Sequence, residues 1–173
     1  MRAVNSQDIT LQLASRSDAQ AIAAMSRDLI ECGLGWEYRP ERIQALIADR
    51  NAVTLVARDG ERVMGFAIMS FSAEHAHLVL MAVRPAVQRR GIARRMTQWL
   101  IESALVAGVA SIHLELRAQN EDAFEFYRVL GFAETMRLPG YYRGRETAVR
   151  MIRVLRPPNL VAQTWRPPPR DKH

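Results

Sequence analysis

Apolar residues recur along this chain with two periods, and the switches between them divide it into alternating strands and helices. Ile9, Leu11 and Leu13 alternate with polar neighbours, which predicts a first strand. Ser17-Asp18-Ala19-Gln20 then has the form of a capping box, and Ile22, Met25 and Leu29 mark the buried face of a helix that should stop near Gly33. Gly33 to Tyr38 reads as a loop carrying Trp36 and Tyr38, placed there as packing residues or as a substrate lid. A second helix follows, with Pro40 in its first turn and Ile43, Leu46 and Ile47 facing inward. Val53 to Arg58 and Val63 to Phe71 are strands joined at Asp59-Gly60, the signal of a type I′ hairpin.

Leu78 to Val83 is a nearly unbroken apolar run, as expected of a strand buried on both faces, and Pro85 ends it. Ile92, Met96, Trp99, Leu100 and Ala104 return to helical spacing between Gly91 and Gly108. Ile112, Leu114 and Leu116 next alternate with Ser111, His113, Glu115 and Arg117, a strand with one polar face that keeps Glu115 out of the core. Asn120 caps another helix, with Glu121 and Asp122 at the positive end of its dipole and Phe124, Tyr127 and Leu130 on one face before Gly131. Phe132 to Arg137 and Thr147 to Val154 are the last strands, and Pro139 to Gly144 between them reads as a loop exposing Tyr141 and Tyr142. From Arg156 the chain turns to Pro157-Pro158 and Pro167-Pro168-Pro169 among polar residues. The expected organisation is one domain over 1–155 and a Pro-rich tail over 156–173.

A chain of 173 residues, 49% of them hydrophobic, is long enough to bury one core without disulfides or metal. Cys32 is the only cysteine, so no disulfide framework exists, which fits a reducing cytoplasm. No apolar stretch has the length of a signal peptide at the N-terminus or of a membrane span elsewhere, so the expectation is a cytoplasmic protein without membrane partners. The net charge of +6 favours polyanions, whether nucleic acid, a ribosome surface or the phosphates of a nucleotide cofactor. His75 and His77 share a strand face, but two histidines with no cysteine beside them do not read as metal ligands.

The stretch from Leu78 to Met96 carries the first chemical signal. It runs strand, basic turn, helix, and so aims the unsatisfied N–H groups of a helix start at the strand end, where Gly91 lets an anion approach the backbone. Arg84, Arg89, Arg90 and Arg94 surround this site with positive charge. A P-loop would need a second glycine followed by Lys-Ser/Thr, and a dinucleotide fold three spaced glycines, and neither is present. Gln88-x-x-Gly91-x-Ala93 instead resembles the acyl-CoA signature of the GCN5-related N-acetyltransferases.

The segment from Leu114 to Phe132 extends that resemblance. Leu-Glu-Leu-Arg, then Asn120, Ala123, Tyr127 and Gly131-Phe132, is similar to the family's second motif. Arg137, Tyr141-Tyr142 and Ala148 to Met151 match its ribosomal-protein alanine N-acetyltransferase branch, although Gln119 stands where that branch commonly has Ser. The resemblance covers roughly Val53 to Val154 and implies an α/β (α+β) fold with a mixed, mostly antiparallel central sheet flanked by helices.

The same resemblance assigns roles to particular residues. Arg89, Arg90, Gly91, Ile92, Ala93 and Arg94 would hold the cofactor pyrophosphate with Gln88 of the same signature in the cofactor site, Met81, Ala82 and Val83 would pair with the pantetheine amides, and Asn120 would bond the cofactor as well as cap its helix. Tyr127 would protonate the leaving thiolate and Glu115 would act as general base, while the strand alternation, not the resemblance, makes His113 on the same face a second candidate for that role. The expected activity is direct transfer of acetyl from acetyl-CoA to a primary amine, with a peptide N-terminal α-amine first and a small amine or amino acid second. A non-catalytic domain of this fold, binding nucleic acid or ribosome, is the reading from a different class. Retention of Glu115 and Tyr127 disfavours it, and so disfavours nucleic acid as a partner. A homodimer is compatible with the sequence.

Overall fold

The alternating segments become seven strands: β1 (Thr10–Leu13), β2 (Ala52–Asp59), β3 (Arg62–Phe71), β4 (His75–Val83), β5 (Ser111–Arg117), β6 (Ala133–Tyr142) and β7 (Glu146–Val154). The helically spaced segments become α1 (Ala19–Leu29), α2 (Pro40–Ala48), α3 (Ile92–Ala107) and α4 (Glu121–Val129). In this computed structural model residues 9–156 are described, and the Pro-rich tail expected from 156 onward lies, beyond Arg156, outside them. The strands form one sheet in the order β1-β2-β3-β4-β5-β7-β6. Every neighbouring pair is antiparallel except β4 and β5.

Because successive side chains of a strand point to opposite faces, the sheet separates two apolar layers. Phe66, Ile68 and Leu80 pack with Ile22 and Met25 of α1 and Ile43 of α2 on one face. Ala67, Met69 and Leu78 pack with Met96 and Leu100 of α3 on the other, in a layer that continues to Leu114, Tyr127 and Met151. Each of the Leu, Ile, Phe and Met side chains among them, when fully buried, stabilises the fold by roughly 1.5–3 kcal/mol.

Leu78 and Leu80 would share a face of a regular strand, yet they belong to different layers. The reason is a bulge: Met69 pairs with Leu78 and Ile68 with Leu80, so Val79 is an extra residue in β4. Beside the bulge, β4 meets β5 only through His75↔Ser111, Ala76↔Ile112 and His77↔His113. From Leu78 onward the two strands have no pairing, and the sheet opens into a cleft.

Three local expectations change. The turn before α1 is closed by Ser15 and Asp18 rather than by Ser17 and Gln20, with the Ser15 backbone N–H donating to Asp18 Oδ2 at 2.7 Å. Asp18 is buried and also receives the Arg58 guanidinium, and this tertiary partner selects the register of the cap. In the β2–β3 hairpin Asp59 pairs with Arg62, and positive φ occurs at Gly60 alone of the turn residues, so the turn is not type I′. The Pro139-Gly140-Tyr141-Tyr142 stretch is not loop but the irregular end of β6, with Tyr142 opposite Glu146. As the outermost strand of the sheet, β6 accommodates a proline and a register shift that a central strand would not.

Candidate active site

The turn between β4 and α3 has two residues in the left-handed region, Arg89 (φ 61°) and Gly91 (φ 77°), and Gly91 is the N-cap of α3. A Cβ added at Gly91 would meet no atom of the described chain within 4 Å. That space lies over the first N–H groups of a four-turn helix, where an anion is stabilised. A cavity of about 500 Å³ borders it, and every donor-site residue expected from the sequence except Arg90 lines that cavity: Met81, Ala82, Val83, Gln88, Arg89, Gly91, Ile92, Ala93, Arg94 and Asn120.

Arg84 of the expected basic ring, and Gln88 beside it, make bonds within the chain. Arg84 Nε donates to the Val63 carbonyl at 2.7 Å, so this side chain fixes β3 to the end of β4 and does not line the cavity. The Gln88 amide donates to the Val83 carbonyl at 2.9 Å and ties the turn to the strand end. Arg89 extends into solvent, 3.5 Å from Asp122 at the start of α4. Asn120 accepts the backbone N–H of Ala123 at 3.1 Å, which is its capping role. Phe126, which sequence reading placed nowhere in the site, supplies an apolar wall to the same cavity.

A second cavity, about 650 Å³, opens between the splayed strands and contains Glu115, Tyr127 and His77. The two cavities share Met81, Asn120, Ala123 and Leu29, so they form a continuous groove. Tyr127 is buried, held edge-on between Phe126 and Phe132 at ring separations of 5.0 and 5.4 Å. Burial pushes its phenol well above the ordinary tyrosine value. Its hydroxyl makes no hydrogen bond recorded among the described residues, and the ring lines the groove.

Glu115 departs from expectation. Alternation along β5 puts it on the polar face, out of the core, but its side chain is only 9% exposed and is held by two groups. His77 Nε2 lies 2.6 Å from Oε2, and Arg150 Nε donates to Oε1 at 2.8 Å. Burial alone would raise the carboxyl, but these hydrogen bonds outweigh it and hold Glu115 below the usual carboxylate value. Arg117 and Arg143 hold the loop after α1 instead. Arg117 bonds the carbonyls of Ile30 and Cys32, and Arg143 donates to Glu37 at 3.0 Å. His113, the alternative base, stacks on His75 with centroids 4.7 Å apart and bonds Ser111 Oγ, and it does not line the groove. Burial and the neighbouring His75 and His77 lower its pKa.

The loop after α1 is built around a residue that sequence reading passed over. Glu31 is buried, receives Ser26 Oγ at 2.8 Å and the backbone N–H groups of Glu37 and Tyr38 at 2.6 and 3.2 Å, and so fixes the loop at the groove rim. Trp36 is a packing residue. Its indole N–H donates to the carbonyls of Ala23 and Tyr38, and Arg27 and Arg39 lie over its ring. The available signal for Glu31 was a carboxylate two residues before a glycine at a helix end, which is too common to single out.

A mixed sheet splayed beside a strand bulge, with a glycine-started helix facing the opening, is the architecture of the CoA-dependent acetyltransferases. The chain belongs to the acetyltransferase (GNAT) family, whose profile matches residues 22–132. It is 37% identical over 94 residues to the ribosomal protein bS18-alanine N-acetyltransferase of Salmonella typhimurium, a match covering 53% of this chain and 64%, just under two thirds, of that enzyme. The N-alpha-acetyltransferase RimI of Mycobacterium tuberculosis is 30% identical over 146 residues, covering 80% of this chain and 87% of the relative. The crystal structure of the ribosomal-protein-S18-alanine N-acetyltransferase from Escherichia coli superposes with a TM-score of 0.75 at 26% identity, over 88% of this chain and 98% of that one. Among the described residues no helix is long and apolar enough to cross a membrane.

Proposed function

We propose that this protein is an N-acetyltransferase that moves acetyl from acetyl-CoA directly to the α-amino group of a protein or peptide N-terminus. The observation that carries the reading is the continuous groove: a glycine turn at one end, a carboxylate–imidazole pair and a buried phenol where the strands part, and a loop-rimmed cavity beyond. The donor side fits a pantetheine-linked pyrophosphate. Gly91 leaves open space over the helix start, and Met81 to Val83 lie where β4 has lost its β5 partner, so their backbone groups are available to amides. Acetyl-CoA supplies a thioester, whose carbonyl the amine attacks.

The residues of the chain then account for the protons. An N-terminal ammonium must lose one proton before it attacks, and an α-amine with a pKa near 8 needs less help than a lysine near 10.4. Glu115, with its partners, is the candidate group for that first proton, directly or through one water. Tyr127 delivers its hydroxyl proton to the departing thiolate. A neutral phenol suits that role, and burial keeps it neutral. The second proton on the acceptor nitrogen, shed as the amide forms, replaces the one Tyr127 gave.

The names of the relatives, alanine N-acetyltransferase of a ribosomal protein for two and N-alpha-acetyltransferase for the third, support the choice of an α-amine acceptor. Initial rates with acetyl-CoA and a panel of acceptors test it. Peptides with free N-termini, including one starting with alanine, should give the highest kcat/KM, and the same peptides with a blocked N-terminus and an internal lysine should give little. Turnover confined to polyamines or free amino acids would replace this acceptor class, and absence of turnover with every amine would return the chain to a binding role.

A further inference from the structure

The contact between His77 and Glu115 joins two residues 38 positions apart, and the reading of Glu115 as a lone base does not use it. β4 and β5 are still paired at His77↔His113, the last rung before the cleft, and Glu115 is the next residue on the same face of β5. The rung thus sets His77 at the mouth of the opening with its ring Nε2 on Glu115 Oε2 at 2.6 Å. Both side chains line the acceptor end of the groove. Glu115 is nearly buried, whereas His77 is 38% exposed and in touch with solvent.

The charges around the pair differ for its two members. Arg150 from β7 occupies Glu115 Oε1 at 2.8 Å, and a carboxylate fixed beside a guanidinium is a poor proton store near neutral pH. Tyr141 of β6 interacts electrostatically with Glu115 and Arg150, and His113, stacked on His75, interacts electrostatically with His77. An imidazole is the side chain suited to taking and releasing protons in the neutral range. A carboxylate on one ring nitrogen selects the tautomer with its proton there and leaves the other nitrogen's lone pair as the base. No hydrogen bond to His77 Nδ1 is recorded among the described residues.

We propose that His77 is the proton-accepting residue of the transfer reaction, with Glu115 as the positioning residue that holds its Nε2–H tautomer and Arg150 keeping Glu115 ionised. The inference rests on the acetyltransferase reading above and refines who receives the first proton. In this scheme the acceptor ammonium gives one proton to His77 Nδ1 and its freed electron pair attacks the thioester carbon. The carbon–sulfur bond breaks, sulfur takes a proton from Tyr127, and the amide nitrogen's second proton restores Tyr127. His77 then releases its proton to solvent, so acetyl-CoA and ammonium become amide, free thiol and one proton.

His77→Gln is the deciding variant, because its amide can still donate to Glu115 but cannot carry a proton. With an N-terminal peptide acceptor, kcat/KM should fall at least about 10-fold near neutral pH and recover as the acceptor deprotonates in solution toward about pH 9, with acetyl-CoA affinity unchanged. A pH–rate profile parallel to that of the wild type removes His77 from the chemistry while leaving the acetyltransferase reading intact. Wild-type protein inactive on every amine overturns both. Nitrogen-15 NMR of the histidine rings reads the pair without turnover. Wild type should show His77 protonated at Nε2 and Glu115→Leu should show a tautomer mixture. A ring indifferent to that substitution also overturns the proposal.

Discussion

Arg117 reaches from the end of β5 to the carbonyl oxygens of Ile30 and Cys32, at 3.0 and 2.7 Å, and so anchors the α1–α2 loop to the strand that carries Glu115. Its second guanidinium nitrogen lies 3.5 Å from Glu146 on β7. One side chain therefore sets the spacing between the groove rim and the chemistry. We expect Arg117→Met to leave acetyl-CoA affinity unchanged and to raise the peptide KM by roughly 10-fold, since hydrogen bonds from a charged donor contribute about 1.5–3 kcal/mol and some of that loss is absorbed by loop relaxation. Steady-state kinetics with each substrate varied in turn distinguish this from a general loss of fold.

Gly91→Val should abolish acetyl-CoA binding in a protein that still unfolds cooperatively. The position is open, so no neighbour is overpacked, but its φ of 77° strains any β-branched residue, and the side chain would project into the anion site. Titration calorimetry measures the affinity and thermal unfolding the fold. Gly91→Ala should be intermediate in both. Undiminished binding by the valine variant would take the turn out of the donor site.

For Tyr127, replacement by Phe keeps the ring contacts with Phe126 and Phe132 and removes only the hydroxyl. The expected result is a kcat lower by roughly 10 to 1,000-fold with little change in acetyl-CoA affinity. Burial raises the phenol pKa, so the wild-type activity should show no loss from tyrosine ionisation as pH rises to about 9. Wild-type turnover by the Phe variant would make Tyr127 a packing residue.

Glu115 also gives a pH-dependent stability. Its folded-state pKa lies below the ordinary carboxylate value, so the unfolded chain binds the proton first as pH falls. The stabilisation it contributes is present in full above the unfolded value of about 4.3 and is lost as pH drops through the lower, folded value. Denaturant unfolding of wild type and Glu115→Gln should differ at pH 7 and converge toward about pH 3. A constant difference across that range would mean that the carboxylate's charge is not what its partners stabilise.

Much of this arrangement was legible before the structure. Strong periodicity located the seven strands and four helices, and residues joined by local sequence, such as the Asn120 cap and the Gln88 to Arg94 turn apart from Arg90, line one groove. What sequence reading missed depends on contacts between distant segments. Val79 looks like its neighbours in an even apolar run, and no glycine or proline marks the bulge it forms with Ile68 and Met69. Glu115 appeared solvated because alternation assigns a face but not what covers it, and its partners His77 and Arg150 come from strands on either side in the sheet. Proline and glycine at 139 and 140 suggested a loop, although β6 lies at an edge where both are tolerated.

The three-rung contact between β4 and β5 has a consequence for how occupancy of the groove can be followed. Backbone amides of β4 that would face β5 past His77 have no strand partner in the empty sheet, so they should exchange with solvent deuterium sooner than amides on the β3 side of the same strand. A ligand lying along the opening as an added strand would cap them. The Leu78–Val83 segment therefore carries its own reporter, in which slowed exchange records the arrival of the acyl donor one backbone amide at a time.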